Sequence, residues 1–485
     1  MSREVQERGY AASAEEQQIL ARWSSWGAVP QVFDERNEDW AAERAQLRSL
    51  FDDDAYAAAR RTTINAHYTD VGYARAMWST LQALGFEGGR VLEPGSGAGT
   101  FIGLAPDEAR MVGVELDPTT AAIARALYPR AEVRTESFAD SRFARGHFDA
   151  MIGNVPFDRV VLHDPLGNPN GHSMHDHFIV KSLNAVRPGG VAAVLTSSFT
   201  MDKVNPAARR EMNALADLVG AVRLPTGAHR RAAGTEAVTD LLIFRRREDG
   251  TAPRDLVWET VTPRVVDGER IRINSYFDAH PQRVLGEIHV GNGMYGNATM
   301  QVVPDDLAAT AGKLEAALDD IVALARERGQ VMTPATAVER ADREAAADAL
   351  TDPWDGTIVA GADRDTFQIA RGGVLEDLSV PRSQAAELRE LIALRDGARG
   401  LLQAEQASDD DTRPDALRAD LKARYEAYVG RYGALNRFTL RPTGRYEKVL
   451  DDNGRAVIDP ETGKPLEGDE ITARVSPPVW GRFRQ

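Results

Sequence analysis

The fold is decided by the stretch Val91-Leu92-Glu93-Pro94-Gly95-Ser96-Gly97-Ala98-Gly99-Thr100. Glycines at 95, 97 and 99 let the backbone turn tightly and approach a ligand where a first strand feeds a first helix. The spacing G-x-G-x-G differs from the dinucleotide fingerprint, and the Gly-Lys-Ser/Thr of a phosphate loop is missing. Since Glu93 would repel phosphate and help to hold a cationic amino-acid group, the ligand predicted is S-adenosyl-L-methionine, a sulfonium. The cofactor-binding residues predicted from this stretch are Glu93, Gly95, Gly97, Gly99 and Thr100.

Two later strand ends extend the predicted cofactor site. Glu115 closes a second strand about 20 residues after the glycine loop begins, where a carboxylate accepts hydrogen bonds from both ribose hydroxyls. Leu116 follows it. Ser137 and Phe138 end a third strand and would flank the adenine ring, although Ser137 stands where an acidic residue is usual.

The surrounding pattern predicts an α/β fold. Short apolar runs alternate with glycine-rich turns and helices from about 86 to 247, which is typical of a largely parallel sheet. We expect a Rossmann-like, seven-stranded methyltransferase sheet, with a helix over HDHFIVKSLNAVRPGG (175–190) stopped by Pro188 and Gly189. The predicted strands are GGRVLEPG (88–95), RMVGVELD (110–117), AEVRTESF (131–138), FDAMIGNV (148–155), GVAAVLTS (190–197), DLVGAVRLP (217–225) and TDLLIFRRR (239–247).

A second motif, Gly153-Asn154-Val155-Pro156-Phe157, ends the fourth predicted strand. It resembles the Asn-Pro-Pro-Tyr/Phe motif of amino-methyltransferases, with Val155 in place of the first proline. An exocyclic amine is a poor nucleophile because its lone pair is delocalised into the ring. The Asn154 carboxamide oxygen and the Val155 carbonyl can accept its two N–H bonds and turn the lone pair towards the methyl group. Asn154, Val155, Pro156 and Phe157 are therefore the predicted catalytic residues, with Phe157 stacking on the base.

This chemistry predicts DNA as the partner, either single-stranded or as a duplex with the target base flipped out. The net charge of −15 argues against broad contact with a polyanion, so any contact must be local. Residues 203–247 hold nine Lys or Arg against four Asp or Glu. Arg230 and Arg231 are the predicted DNA-binding residues, and Arg245, Arg246 and Arg247 belong to the same basic excess, for which a solvated face is the alternative.

Upstream of the glycine loop, Asn65-Ala66-His67-Tyr68-Thr69-Asp70 resembles the segment that closes over the methionine end of the cofactor in adenine-specific enzymes. Tyr68 and Thr69 are the residues expected to bind there. The order of the three motifs resembles the gamma class of amino-methyltransferases, which implies methylation of adenine N6 in DNA and target recognition after the catalytic core. Cytosine N4 methylation, glutamine methylation of proteins and a non-catalytic DNA-binding or assembly subunit remain open.

A wider resemblance covers most of residues 10–290. The stretches AASAEEQQILARWSSWGAVPQVFD, RTTINAHYTD, LTSSFTMD and SYFDAHPQRVLG look like the methyltransferase region of large helicase–methyltransferase fusion proteins of phages, plasmids and defence islands. The resemblance implies a role in restriction, anti-restriction or phage defence. It also implies a helicase, either fused after SPPVWGRFRQ or acting as a separate partner.

Composition excludes other chemistry. The chain has no cysteine, which removes thiolate zinc sites and the thiolate that cytosine C5 methylation requires. We expect no metal at His172, His175 and His177, and we expect a cytoplasmic protein without a membrane span. Trp23, Trp26 and Phe33 are interpreted as a packing anchor. The predicted organisation is a helical segment 1–60, the methyltransferase domain 61–248, a small β-containing region 249–303, a helical module 304–435 and a turn-rich tail 436–485.

Overall fold

The computed structural model divides into two compact units, residues 1–349 and 350–485. The residues that it describes are 12–23, 25–51, 56–57, 59–60, 69–158, 160–164, 166–228, 238–292, 298–336, 339–340, 357–361, 363, 365–371, 374–407, 412–435, 437, 439–448 and 467–475.

The first unit is built on a seven-stranded sheet. Its strands are β1 (Gly89–Pro94), β2 (Ala109–Glu115), β3 (Glu132–Thr135), β4 (Phe148–Asn154), β5 (Val186–Ser197), β6 (Ala216–Arg223) and β7 (Thr239–Arg246). Their order is β3-β2-β1-β4-β5-β7-β6. The first five strands pair in parallel, whereas β7 is antiparallel to both β5 and β6. This is the Rossmann-like sheet of S-adenosylmethionine-dependent methyltransferases, and it confirms the predicted fold class.

Helices cover both faces of this sheet. As far as the structure describes them, the helices of the first unit are in chain order α1 (Ala14–Leu20), α2 (Ala41–Leu50), α3 (Val71–Ala83), α4 (Pro118–Leu127), α5 (Met174–Ala185), α6 (Phe199–Asp202), α7 (Ala207–Leu215), α8 (Ser275–Ala279) and α9 (Thr310–Glu327). One apolar cluster joins α3, α4 and α9 to the sheet, and a second joins α5 and α7 to it. Val91 belongs to the first cluster and Leu92 to the second, because successive strand residues point to opposite faces.

All seven predicted strands are present, and one helix end differs from its prediction. Helix α5 ends at Ala185, and Val186 already begins β5, so Pro188 and Gly189 lie inside the strand. In the described register β5 skips a pairing with β4 between Phe148 and Ala150. The start of the strand therefore tolerates Pro188, because a proline can sit where a ladder hydrogen bond is missing.

Two antiparallel hairpins follow the sheet, β8 (Val261–Val266) with β9 (Glu269–Asn274) and β10 (Glu287–Asn292) with β11 (Ala298–Val303). Helix α9 then returns to the sheet, where Leu314, Leu318 and Ile321 join the same core as α3. The first helix of the predicted helical module 304–435 therefore belongs to the first unit.

The second unit contains a three-stranded antiparallel sheet of β12 (Ile358–Ala360), β13 (Phe367–Arg371) and β14 (Val374–Asp377). Helices α10 (Arg382–Ala407) and α11 (Thr412–Tyr432) pack on it around Phe367, Leu388 and Tyr428. An antiparallel pair, β15 (Thr439–Lys448) and β16 (Glu467–Val475), follows. Among the described residues, no helix is both long and apolar enough to cross a membrane.

Candidate cofactor and amine site

A cavity opens at the carboxyl edge of the parallel strands and brings the sequence motifs together. Twelve of the predicted site residues line it: Thr69, Glu93, Gly95, Gly97, Thr100, Glu115, Leu116, Ser137, Phe138, Asn154, Val155 and Pro156. They come from the segment before α3 and from the ends of β1, β2, β3 and β4. In open α/β sheets, ligands bind at this edge beside the point where the strand order switches direction. Here that point lies between β1 and β4.

The glycine loop adopts the backbone that its sequence predicts. Gly95, Gly97 and Gly99 have φ of 76°, 54° and 89°, a region that favours glycine. The amides of Gly95 and Ser96 both donate to the Val114 carbonyl at 2.9 Å, which fixes the loop to β2. Gly99 faces away from the cavity, and a Cβ there would lie 2.8 Å from the Tyr128 ring. Gly99 is therefore required for packing, and it does not line the cavity.

Glu93 is a buried carboxylate on the cavity wall, with 2% of its surface exposed. Burial raises the pKa of Glu93 well above its ordinary value, and the negative charge of Glu115 raises it further. One of its oxygens, Oε2, has no hydrogen-bond partner among the described residues. A cationic ligand group would relieve both features, whereas a phosphate would be repelled.

Glu115 is held by backbone amides. Its Oε2 accepts from the Gly97 amide at 2.9 Å and its Oε1 from the Asp117 amide at 2.8 Å. Burial nevertheless raises the pKa of Glu115 to about 7. Each carboxylate oxygen keeps a second lone pair for a hydroxyl donor, so the predicted ribose contact fits this geometry.

The far wall of the cavity contains the predicted adenine-flanking residues. Phe138 is buried against Phe178 of α5, with ring centroids 4.6 Å apart. The Lys181 ammonium donates to the Phe138 carbonyl at 2.7 Å and to Asp164 at 2.6 Å. Lys181 and Asp164 thereby fix the loop after β3 to α5.

The amine motif lies against the glycine loop. A Cβ on Gly95 would be 3.6 Å from Pro156 Cδ, and one on Gly153 would be 3.7 Å from Glu93 Cγ. Val155 is buried, and its amide donates to the Leu195 carbonyl of β5 at 3.0 Å. This bond fixes the backbone at the position where related motifs carry proline, and a proline could not make it. Half-buried Asn154 lines the cavity together with Glu93 and Gly97.

Some predicted residues lie elsewhere. Phe157 is half-buried and does not line the cavity. Tyr68, Arg230 and Arg231 lie outside the described residues, so their roles stay predictions.

The interpretation of Arg245–Arg247 as phosphate contacts, or as a solvated face, is wrong for the two residues that are buried. Arg246 donates to Asp249 and to the Leu183 carbonyl, and Arg247 donates to Asp217 at 2.7 Å. Arg245 donates to the Val331 carbonyl at 2.6 Å. Two other members of this basic excess are also internal: Arg209 is 1% exposed, and Arg223 pairs with Asp240 and Asp202 at 2.8 and 2.9 Å. A charge count along the sequence could not distinguish these internal arginines from arginines at the surface.

The histidines near the start of α5 have protein partners. His172 Nε2 lies 2.6 Å from Glu211, and His177 Nε2 lies 3.1 Å from Asp164. His175 Nδ1 lies 3.1 Å from the Asp158 carbonyl. Burial lowers the pKa of His175, so its neutral ring donates to the backbone that follows the amine motif.

Sequence reasoning missed several lining residues. Ser25, Trp26, Asp117, Thr120, Glu136 and Phe178 also line the cavity. Asp117 could have been found, since it lies two residues after Glu115 and caps α4. Trp26 was interpreted only as a packing residue. It does pack, with Trp23 and Phe33 at 4.7 and 5.5 Å between centroids, but no local pattern indicates that it reaches the cavity.

Comparisons with known proteins are limited to structure. No protein-family model and no curated protein matches the chain. A chain of a type I restriction–modification system is 16% identical over 38% of this chain and 42% of its own length, with a TM-score of 0.33. The type I methyltransferase subunit of Streptococcus thermophilus is 18% identical over 44% of this chain and 54% of its own, with a TM-score of 0.31. A TehB-like S-adenosylmethionine-dependent methyltransferase from Corynebacterium glutamicum is 16% identical over 43% of this chain and 97% of its own, with a TM-score of 0.25.

The chain spans less than half the length of the first relative and about half that of the second. The helicase partner stays a prediction. The class of fold is defined by the strand order of the sheet.

Proposed function

We propose that this protein transfers a methyl group from S-adenosylmethionine to an exocyclic amine of DNA, with adenine N6 as the target. One observation carries the proposal: Asn154 and Pro156 line the same cavity as Glu93, Gly97 and Glu115. Asn154 and Val155 can supply two oxygen acceptors beside the predicted cofactor residues, which supports an amine as the methyl acceptor.

The residues of the cavity fit this cofactor. The buried Glu93 oxygen without a described partner suits a cationic amino-acid group, and the glycines let a ligand approach the backbone of the loop. Glu115 can accept hydrogen bonds from ribose hydroxyls, and Phe138 offers an apolar wall to the adenine ring. When bound, S-adenosylmethionine supplies an electrophilic methyl group on its sulfonium sulfur.

The amine is activated by hydrogen bonding. The Asn154 carboxamide oxygen and the Val155 carbonyl accept its two N–H bonds, which reduces delocalisation of the nitrogen lone pair into the ring. The Val155 amide donates to Leu195, and His175 holds the Asp158 carbonyl, so the motif is anchored on both sides. Anchoring matters because hydrogen-bond acceptors act best when they need not reorganise during the reaction.

The resemblance of residues 154–157 to the motif of amino-methyltransferases supports DNA as the substrate, and the target base must then leave the duplex. A base in a duplex cannot reach a cavity at a sheet edge unless it leaves the stack. The net charge of −15 predicts a small, local phosphate contact, and therefore a shallow salt dependence of DNA binding. Asn154 rather than Ser or Asp at the start of the motif favours adenine over cytosine.

The test is methyl transfer from labelled S-adenosylmethionine to single-stranded and duplex DNA of mixed sequence, followed by nucleoside mass analysis. N6-methyladenine is the expected product. N4-methylcytosine alone would overturn the adenine assignment, and label in glutamine of protein would overturn DNA as the substrate. Cofactor binding without transfer to either DNA would contradict catalysis and favour an assembly role.

A further inference from the structure

The N-terminal segment contributes a wall to the cofactor cavity. Ser25 and Trp26 line it together with the glycine loop, although they precede that loop by about 70 residues in the chain. Trp26 is 7% exposed and lies in an aromatic cluster, with its ring centroid 4.7 Å from Trp23 and 5.7 Å from Phe51. The ring is therefore fixed where it meets the cavity.

Hydrogen bonds attach this segment to the cofactor loop. The Trp23 indole N–H donates to Thr120 Oγ1 at 3.1 Å, and that hydroxyl donates to Asp117 Oδ2 at 2.7 Å. The Asp117 amide in turn donates to Glu115. Apolar contacts run beside this chain, because Leu20 packs with Ala98 and with α4. The position of Trp26 is thus coupled to the carboxylate that we assign to the ribose.

Two features of the segment point to a ligand. The Trp26 indole N–H is buried and has no acceptor among the described residues, whereas the neighbouring Trp23 N–H has Thr120. Buried donors are almost always hydrogen-bonded in native proteins. Ser25, the residue before Trp26, has φ of 63°, and such strained backbone concentrates at ligand sites.

We infer that Trp26 is a cofactor-binding residue whose indole N–H donates to an oxygen of S-adenosylmethionine, and that Ser25 and Trp26 form one wall of the cofactor site. The inference rests on the proposed function, since it takes the ligand from it. Carboxylate and ribose oxygens of the cofactor are the available acceptors, and S-adenosylhomocysteine carries both.

Titration calorimetry with S-adenosylhomocysteine on the full-length chain tests this. Trp26→Phe removes the N–H and keeps an aromatic ring, and we expect it to weaken binding about 3- to 10-fold. Trp258→Phe is the matched control: it removes another buried indole N–H without a described acceptor, at a position that does not line the cavity, and its affinity should stay within about twofold of the wild type. Thermal melting confirms that both variants are folded.

Equal affinity of Trp26→Phe and wild type would overturn the inference, and so would an equal loss in Trp258→Phe. Should Trp26→Phe fail to fold, the indole N–H resonances of the wild-type protein are measured by NMR with and without S-adenosylhomocysteine. Ligand should then move one of them downfield, and no movement would contradict the inference. If the wild-type protein binds neither S-adenosylhomocysteine nor S-adenosylmethionine, the proposed function itself has failed.

Discussion

The two halves of the cavity differ in the charge and rigidity of the groups that line them. The cofactor half, Glu93–Thr100 with Glu115, combines two carboxylates of raised pKa with a loop of positive-φ glycines. The amine half, Asn154–Pro156, has neutral acceptors on a strand end that is bonded to Leu195. The first half suits a cation and the second a neutral amine. Substitutions should therefore separate cofactor affinity from methyl transfer.

The largest effect is expected from Asn154→Ala. Removing one preorganised acceptor should lower the transfer rate about 10²- to 10³-fold, while the affinity for S-adenosylhomocysteine changes by less than about twofold because Glu93 and Glu115 are intact. Single-turnover transfer and calorimetry measure the two quantities. Asn170→Ala is the control, since it removes an exposed carboxamide that contacts Glu211. Full activity of Asn154→Ala would break the comparison.

A pH effect of intermediate size belongs to the cofactor half. Burial raises the pKa of Glu115 to about 7 from an ordinary 4.5, so between these values the folded protein binds more protons than the unfolded chain. The contribution of Glu115 to the free energy of unfolding is fully present below about pH 4.5 and is lost as the pH rises through 7. Glu115→Gln should remove it, and urea unfolding from pH 5 to 8 would show the variant gaining stability relative to wild type. A pH-independent difference would contradict this assignment.

The smallest effect is expected from Val155→Pro. The substitution restores the proline of related motifs but deletes the amide that donates to Leu195. The lost bond destabilises by about 1 kcal/mol, and the stiffer chain offsets up to a similar amount. Thermal melting should therefore change little, and transfer should not increase. A large gain in transfer would show that valine impairs the motif.

The sequence predicted the features that local backbone geometry imposes. Glycines at 95, 97 and 99 are needed for left-handed backbone, and strand ends place Glu115 and Asn154 at one edge, so both motifs could be recognised in isolation. Trp26 could not, because it reaches the cavity through packing with Trp23 and Phe33 rather than through a local pattern. The helix end predicted at Pro188 was wrong, because an irregularity in the pairing of β4 with β5 accommodates a proline inside the strand. The charge analysis was wrong for Arg246 and Arg247, because the Leu183 carbonyl and the Asp217 carboxylate that accept from them are distant in the sequence.

The internal arginines affect how this protein behaves in salt. Arg223 pairs with Asp240 and Arg247 pairs with Asp217, and all four side chains are no more than 5% exposed. Dissolved ions screen such interior pairs far less than surface ones. Contacts with a nucleic-acid backbone lie at the surface and weaken as salt is added, even where few phosphates take part. If the proposed function holds, concentrated salt should therefore release DNA while the buried ion pairs of the folded protein persist.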